Sequence, residues 1–200
     1  MYSDNPFTIT YQKAKQTGDY LGLMLDKVNL LNDTAVCMVG YSLGSLLIFD
    51  TLTTLYDLAA PVVVGDVCLL GSVVSVNELY DNIHKLIGTK GVVQGKLTVV
   101  YTIHDTVLAY LFRVVKLGQT PIGLKPLDKT ALVRSLRAND PVLCKWTPHE
   151  AMDYLNQKLT NLDGSDYIDG HGAHMTQIHK TMAKVDFNND ANHFKTSPSI

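Results

Sequence analysis

Two hundred residues, 46% of them hydrophobic and 18% charged, are enough for one domain with a buried core. A net charge of −2, with no basic stripe and no interleaved aromatic run, excludes a nucleic-acid surface. Met1-Tyr2-Ser3-Asp4-Asn5-Pro6-Phe7 has no basic or apolar leader character, so no secretory signal is expected. The most apolar windows, 61–76 and 97–115, are broken by Asp66 and by His104, Asp105 and Arg113, so no transmembrane span is expected either.

The three cysteines, Cys37, Cys68 and Cys144, are an odd number. Cys37 and Cys68 fall inside apolar strand patterns and read as reduced, buried thiols, which points to a cytoplasmic compartment.

Asn5-Pro6 leads into an amphipathic helix over residues 8–28, weakened by Gly18 and Gly22. The apolar run 35–39 predicts a strand over 34–39 buried on both faces. Leu46, Leu47, Ile48, Leu52 and Leu55 then recur at helical spacing over 45–58. Pro61 ends that helix, 62–71 reads as a second buried strand, and 76–87 reads as a helix. A glycine-punctuated turn over 88–95 precedes a third strand, 97–103, and a helix over 106–117. Pro121, Gly123 and Pro126 make 118–140 an irregular connection. Thr147-Pro148-His149-Glu150 is a capping box with proline at the first helical position, starting a helix to about Leu159. Residues 165–169 read as a short strand, 170–174 as a loop and 175–185 as a last helix, ahead of a polar, loose tail.

Strands alternating with helices place the chain in the α/β class, as a three-layer sandwich with a parallel sheet between helices. One domain over 1–187 is expected, followed by the tail 188–200. Functional groups in such sheets collect at the carboxyl ends of the strands.

Gly40-Tyr41-Ser42-Leu43-Gly44 lies between a strand pattern and a helix pattern, which is the setting of a nucleophile elbow. A serine on so tight a turn leaves little room for neighbouring Cβ atoms, and glycines two residues before and after relieve the crowding. The turn aims Ser42 at a helix N-terminus, where the N–H of Leu43 would stabilise an oxyanion. The plainer alternative is a tight turn with Ser42 as N-cap.

In hydrolase folds built on this elbow the chain order is nucleophile, acid, histidine, and Ser42, Asp105 and His171 follow it. His171 would take the Ser42 proton and return it to the leaving group, while Asp105 holds the imidazole tautomer. Asp105 reads more simply as the N-cap of the helix at Thr106. His104 beside it reads as a hydrogen-bonded strand-end histidine, and His174 and His179 compete with His171. His171, His174 and His179 with Asp169 are a conceivable metal cluster, but their spacing matches no zinc signature, and no metal or cofactor is expected.

Asp4-Asn5-Pro6-Phe7 ahead of a helix, the segments 39–45, 69–72 and 101–113, and Gly170-His171 together resemble the domain of unknown function 726 family, which is α/β-hydrolase-like. The resemblance covers 4–127 well and 165–185 loosely. It implies a serine hydrolase with Ser42, Asp105 and His171 as its triad, acting on a small-molecule or lipid ester. The chain departs from the family at His104, where asparagine is usual, and 132–162 has no counterpart. The full hydrolase fold has more strands before the elbow, and a loop after one of them supplies a second oxyanion donor; here only about 33 residues precede the elbow strand. A partial fold lacking the N-terminal strands is therefore expected, with Leu43 as sole recognisable donor and a bare edge on the elbow strand. The family's larger members carry membrane spans, which implies a setting peripheral to membranes. Three readings follow. The first is an ester hydrolase. The second is a weak or inactive hydrolase fold that self-associates or takes a partner through the bare edge. The third is a metal-binding domain around His171, His174 and His179.

Overall fold

The computed structural model describes residues 5–27, 35–112, 118–185 and 187. After α1 (Pro6–Lys27) come β1 (Val36–Tyr41), α2 (Leu43–Asp57), β2 (Val64–Leu70), α3 (Val76–Ile87), β3 (Leu97–Tyr101) and a π-helical turn (Val107–Phe112). The second half holds α4 (Lys129–Asn139), a 3-10 turn (Leu143–Lys145), α5 (Pro148–Lys158), β4 (Leu159–Asp163), α6 (Ala173–Thr176) and α7 (Ile178–Lys184). All four strands are parallel in the order β1-β2-β3-β4, so their carboxyl ends open on one edge of the sheet.

Every residue of β2 and β3 is buried, because helices cover both faces. On one face α1 to α5 enclose a large core around Leu46, Leu52, Leu69, Val99, Leu132 and Leu155. On the other, Cys68, Leu70, Val100 and Ile168 lie under Ala173 of α6 and Ile178 and Met182 of α7. The chain therefore has the three-layer α/β arrangement expected from its alternating pattern.

The glycines that weaken α1 as a helix are the ones that let it touch α2. A Cβ at Gly18 would stand 2.4 Å from the carbonyl oxygen of Leu47, and one at Gly22 would stand 2.8 Å from Thr54 Cβ. The Thr51 hydroxyl lies at the same crossing, with its single proton between the Leu47 carbonyl at 2.8 Å and the Gly18 carbonyl at 3.1 Å. α3 spans the predicted residues behind a capping box of Ser75 and Glu78, and Thr147 and Glu150 form the box that starts α5.

Five expectations need correction. β1 is not buried on both faces: Cys37 and Val39 are exposed. Among the described residues β1 pairs only with β2, and the thinner helical layer covers Cys68, Leu70 and Val100 instead. Cys37 is thus an exposed thiol, while Cys68 is buried as expected.

Residues 118–140 are not irregular throughout. Asp128 accepts from the N–H groups of Thr130 and Ala131 and starts α4, which buries Leu132, Val133 and Leu136. The fourth strand is Leu159–Asp163 rather than 165–169. It follows α5 without a loop, Leu159 being both helix cap and first strand residue, while Tyr167 and Ile168 turn back to donate to Gly164 O. The last helix is two short ones, since Gln177 ends α6 and starts α7. Val28, residues 113–117 and the tail 188–200 lie outside the described residues. Among the described residues no helix is long and apolar enough to cross a membrane.

Candidate active site

Ser42 occupies the turn between β1 and α2 with φ 54° and ψ −120°. A non-glycine residue held there costs on the order of 1–3 kcal/mol, so its surroundings must fix it. Its N–H donates to Leu70 O of β2 at 3.0 Å. Its carbonyl accepts from the Ser45 N–H at 3.0 Å and from the Ser45 hydroxyl at 2.5 Å. The Ser45 oxygen also lies 2.8 Å from Ser72 Oγ, which accepts from the Val74 N–H at 3.2 Å. Ser45 has one hydroxyl proton, and with that proton on the Ser42 carbonyl the Ser72 hydroxyl supplies the other bond.

Gly40 meets the steric demand of the elbow, because a Cβ there would stand 2.7 Å from Gly44 O and 2.8 Å from Ile48 Cδ1. Gly44 does not: a Cβ there would meet nothing within 4 Å beyond its own helix and neighbours. Leu43 is the first residue of α2, so its N–H has no helical carbonyl to bond.

Asp105 follows β3 and is fully buried. Its Oδ1 accepts from the Leu108 N–H at 2.9 Å, and its Oδ2 lies 2.6 Å from His171 Nδ1. The capping contact and the histidine contact are not alternatives; one oxygen serves each. His171 Nε2 lies 2.8 Å from Ser42 Oγ. With the Asp105 carboxylate accepting at Nδ1, that nitrogen carries the proton and the Nε2 lone pair faces the Ser42 hydroxyl.

The histidine loop is tied down twice. Tyr41, the residue before Ser42, donates its hydroxyl to the His171 carbonyl at 2.9 Å and sets its ring 5.1 Å from the imidazole. Burial, with the Asp105 charge, pushes the Tyr41 phenol above its usual range, keeping it a donor. Thr102 Oγ1 donates to Ile168 O at 2.8 Å, joining the end of β3 to the loop that carries His171.

His174 is the unexpected neighbour. It is fully buried, with neither ring nitrogen hydrogen-bonded among the described residues, and its ring lies 6.0 Å from Tyr41 and 6.4 Å from His171. It rests on Gly71, whose φ is 48° and where a Cβ would stand 2.9 Å from the imidazole. Burial pushes its pKa down to about 4, so it is neutral at pH 7. His104 and His179 are exposed. Among the described residues no group of three His, Cys, Asp or Glu side chains is placed to hold a metal ion.

The structure thus brings Ser42, His171 and Asp105 into one hydrogen-bonded run, with Leu43 beside it. Sequence reasoning missed Ser45, Ser72, Thr102 and Tyr41, which fix that run. Ser45 and Ser72 each close an apolar strand-and-turn segment, and a hydroxyl in such a place was the available signal. A serine hydroxyl facing an imidazole acceptor backed by a buried carboxylate is an arrangement that can activate a nucleophile.

No curated protein and no solved structure matches the chain. The family described as Protein of unknown function (DUF726) matches residues 2–144, a span that includes Ser42 and Asp105 and stops before His171, and the chain belongs to that family.

Proposed function

We propose that the chain is a serine hydrolase acting on an ester, with Ser42 as nucleophile, His171 as general base and acid, Asp105 as its partner and Leu43 N–H as an oxyanion donor. The observation that carries the reading is the run from Asp105 Oδ2 through His171 to Ser42 Oγ, at 2.6 and 2.8 Å, ending on a strained elbow. Ser42 Oγ would bond to the ester carbonyl carbon as its proton passes to His171 Nε2, and the carbonyl electron pair would move to oxygen near the start of α2. Collapse expels the alcohol, which takes the proton from His171 and leaves an acyl-serine. Water then repeats the sequence and releases the acid. Asp105 stabilises the imidazolium in both halves. The order Ser42, Asp105, His171 at the carboxyl ends of β1, β3 and β4 supports a partial α/β-hydrolase fold.

A fluorophosphonate probe tests this. The folded protein should label at Ser42, and His171→Ala should slow labelling by about 100-fold or more. No labelling, or labelling that persists in Ser42→Ala, overturns the reading.

The β1 edge favours a second reading. Among the described residues it is paired on one side only, and Val39 is 45% exposed. A weak or inactive hydrolase fold would there accept a strand from a second copy or a partner. Association that survives Ser42→Ala and His171→Ala but is lost on Val39→Pro selects that reading. Either activity suits a reducing, cytoplasmic setting, where Cys37, Cys68 and Cys144 remain thiols.

A further inference from the structure

Two arginines on α4 line a cavity that the candidate active site does not use. Arg134 and Arg137 stand one turn apart on that helix, and with Val133, Ala138, Cys144 and Pro148 they line a volume of about 430 Å³. That volume falls in the range of small-molecule sites, about 300–1,000 Å³. Residues 118–185 are described without a break, so α4, the 3-10 turn and the start of α5 form these walls between them. No lining residue belongs to the run from Asp105 to Ser42.

The walls carry positive charge and no carboxylate. The acids on the flanking elements have other partners: Asp128 caps α4, Asp140 accepts from Thr89, Val142 and Leu143, Glu150 accepts from Thr147 at the start of α5, and Asp153 pairs with His149. Like charges one helical turn apart repel, and an anion held between them removes that cost. The Nε–H of Arg137 is buried with no acceptor among the described residues, a state that an incoming acceptor relieves. Pro148 is the first residue of α5, so the positive end of that helix adds to the same wall.

Charge and shape choose the anion. A carboxylate carries one charge and two oxygens, which a single guanidinium fork takes up. Two forks on successive turns match three terminal oxygens and a charge of about −2, which a phosphate monoester supplies at pH 7. The cavity holds more than a phosphate group, and Val133, Ala138 and Pro148 give it an apolar wall. We infer that Arg134 and Arg137 bind the phosphate of a small phosphomonoester whose apolar body rests on that wall. The site stands or falls without turnover at Ser42.

Cys144 reports on the cavity because it is an exposed thiol in its lining, and Cys37 on β1 is an exposed thiol outside it. The full chain is alkylated with N-ethylmaleimide while phenyl phosphate is titrated into the millimolar range, and each cysteine is followed by peptide mass spectrometry. Cys144 alkylation should slow by about fivefold or more with Cys37 unchanged. Arg134→Gln and Arg137→Gln should each raise the concentration needed by about tenfold, the loss of one charge-assisted contact, and their unfolding midpoints show that they are folded. Inorganic phosphate and phenylacetate should each protect less well than phenyl phosphate, the first for want of an apolar body and the second for want of charge and oxygens. No protection of Cys144, protection that both glutamine variants retain, or equal slowing at Cys37 overturns the site. Equal protection by phenylacetate overturns the phosphate assignment, and equal protection by inorganic phosphate overturns the apolar body.

Discussion

The hydroxyls of Ser45 and Ser72 lie 2.8 Å apart, both fully buried, and join the elbow to the loop after β2. Through Ser45 the contact reaches the Ser42 carbonyl, so a residue 30 positions along the chain helps hold the strained turn. Removing the Ser72 hydroxyl leaves the Val74 N–H and the Ser45 oxygen without that partner. Ser72→Ala should cost about 1–3 kcal/mol in unfolding free energy. Ser45→Ala should also slow fluorophosphonate labelling of Ser42 by roughly tenfold, since about 1.4 kcal/mol of misplacement is a factor of ten in rate. Unchanged labelling in both variants would mean that Leu70 and the Ser45 N–H hold the turn unaided.

The α1–α2 crossing makes a prediction of opposite sign to helix propensity. An exposed helical Gly→Ala change ordinarily gains about 0.5–1 kcal/mol. At Gly18 the added Cβ would meet the backbone oxygen of Leu47 at 2.4 Å, and a helix backbone cannot step aside. At Gly22 the close atoms are the Cβ and Cγ2 of Thr54, at 2.8 Å. Gly18→Ala should therefore destabilise by about 1–3 kcal/mol and Gly22→Ala by less. Thermal unfolding measures both, and a stabilised Gly18→Ala protein would show that the helices pack more loosely.

Legibility followed locality. Ser42, Leu43 and Asp105 could be picked out because the elbow and the strand end are short-range patterns, whereas His171, 129 residues from Ser42, was singled out from His174 and His179 only by chain order and by the family resemblance. α3 and the Thr147 capping box were legible for the same reason as the elbow. β1 was misread because an apolar run does not say whether a sheet continues beyond it; only pairing does. α4 was missed because Pro121, Gly123 and Pro126 dominated the segment, while the Asp128 cap and the spacing of Leu132, Val133 and Leu136 carried the helix. β4 was misplaced because its register with Leu97 and Thr98 is a contact between distant residues. Gly18 and Gly22 weaken a helix taken alone and permit a crossing once α2 is present.

Asp50 on α2 should make stability fall as pH rises. It is buried, 3.4 Å from Lys15 Nζ, which also lies 3.6 Å from Glu78. Burial pushes its pKa up to about 6; Lys15 opposes the shift, and Asp19 and Glu78 add to it. The folded value lies above the ordinary carboxylate value of about 4, so the folded state binds the proton more tightly. That contribution is complete below about pH 4 and is lost as pH rises to 6. Asp50→Asn should gain on the wild type over that interval and keep the gain above it. Denaturant titrations at pH 4.5, 5.5 and 7 measure the difference, and a constant gap would show that Asp50 titrates normally.

His174 predicts the opposite trend and also separates the two histidines of the site. Its folded pKa of about 4 lies below the ordinary histidine value of about 6.5, so the unfolded chain takes up the proton first. Its contribution is present above about pH 6.5 and is lost as pH falls towards 4. His174→Leu removes a buried ring whose nitrogens have no hydrogen-bond partner among the described residues, so at pH 7 the change should cost less than about 1.5 kcal/mol, and acid should erode the variant less than the wild type. The same variant decides which imidazole serves Ser42. His171 Nε2 is the nitrogen at 2.8 Å from Ser42 Oγ, while the His174 ring lies 6.4 Å from the His171 ring. Fluorophosphonate labelling should therefore persist in His174→Leu and collapse in His171→Ala. Equal loss in both would mean that His174 acts on Ser42 through His171, as a positioning residue and not as packing alone.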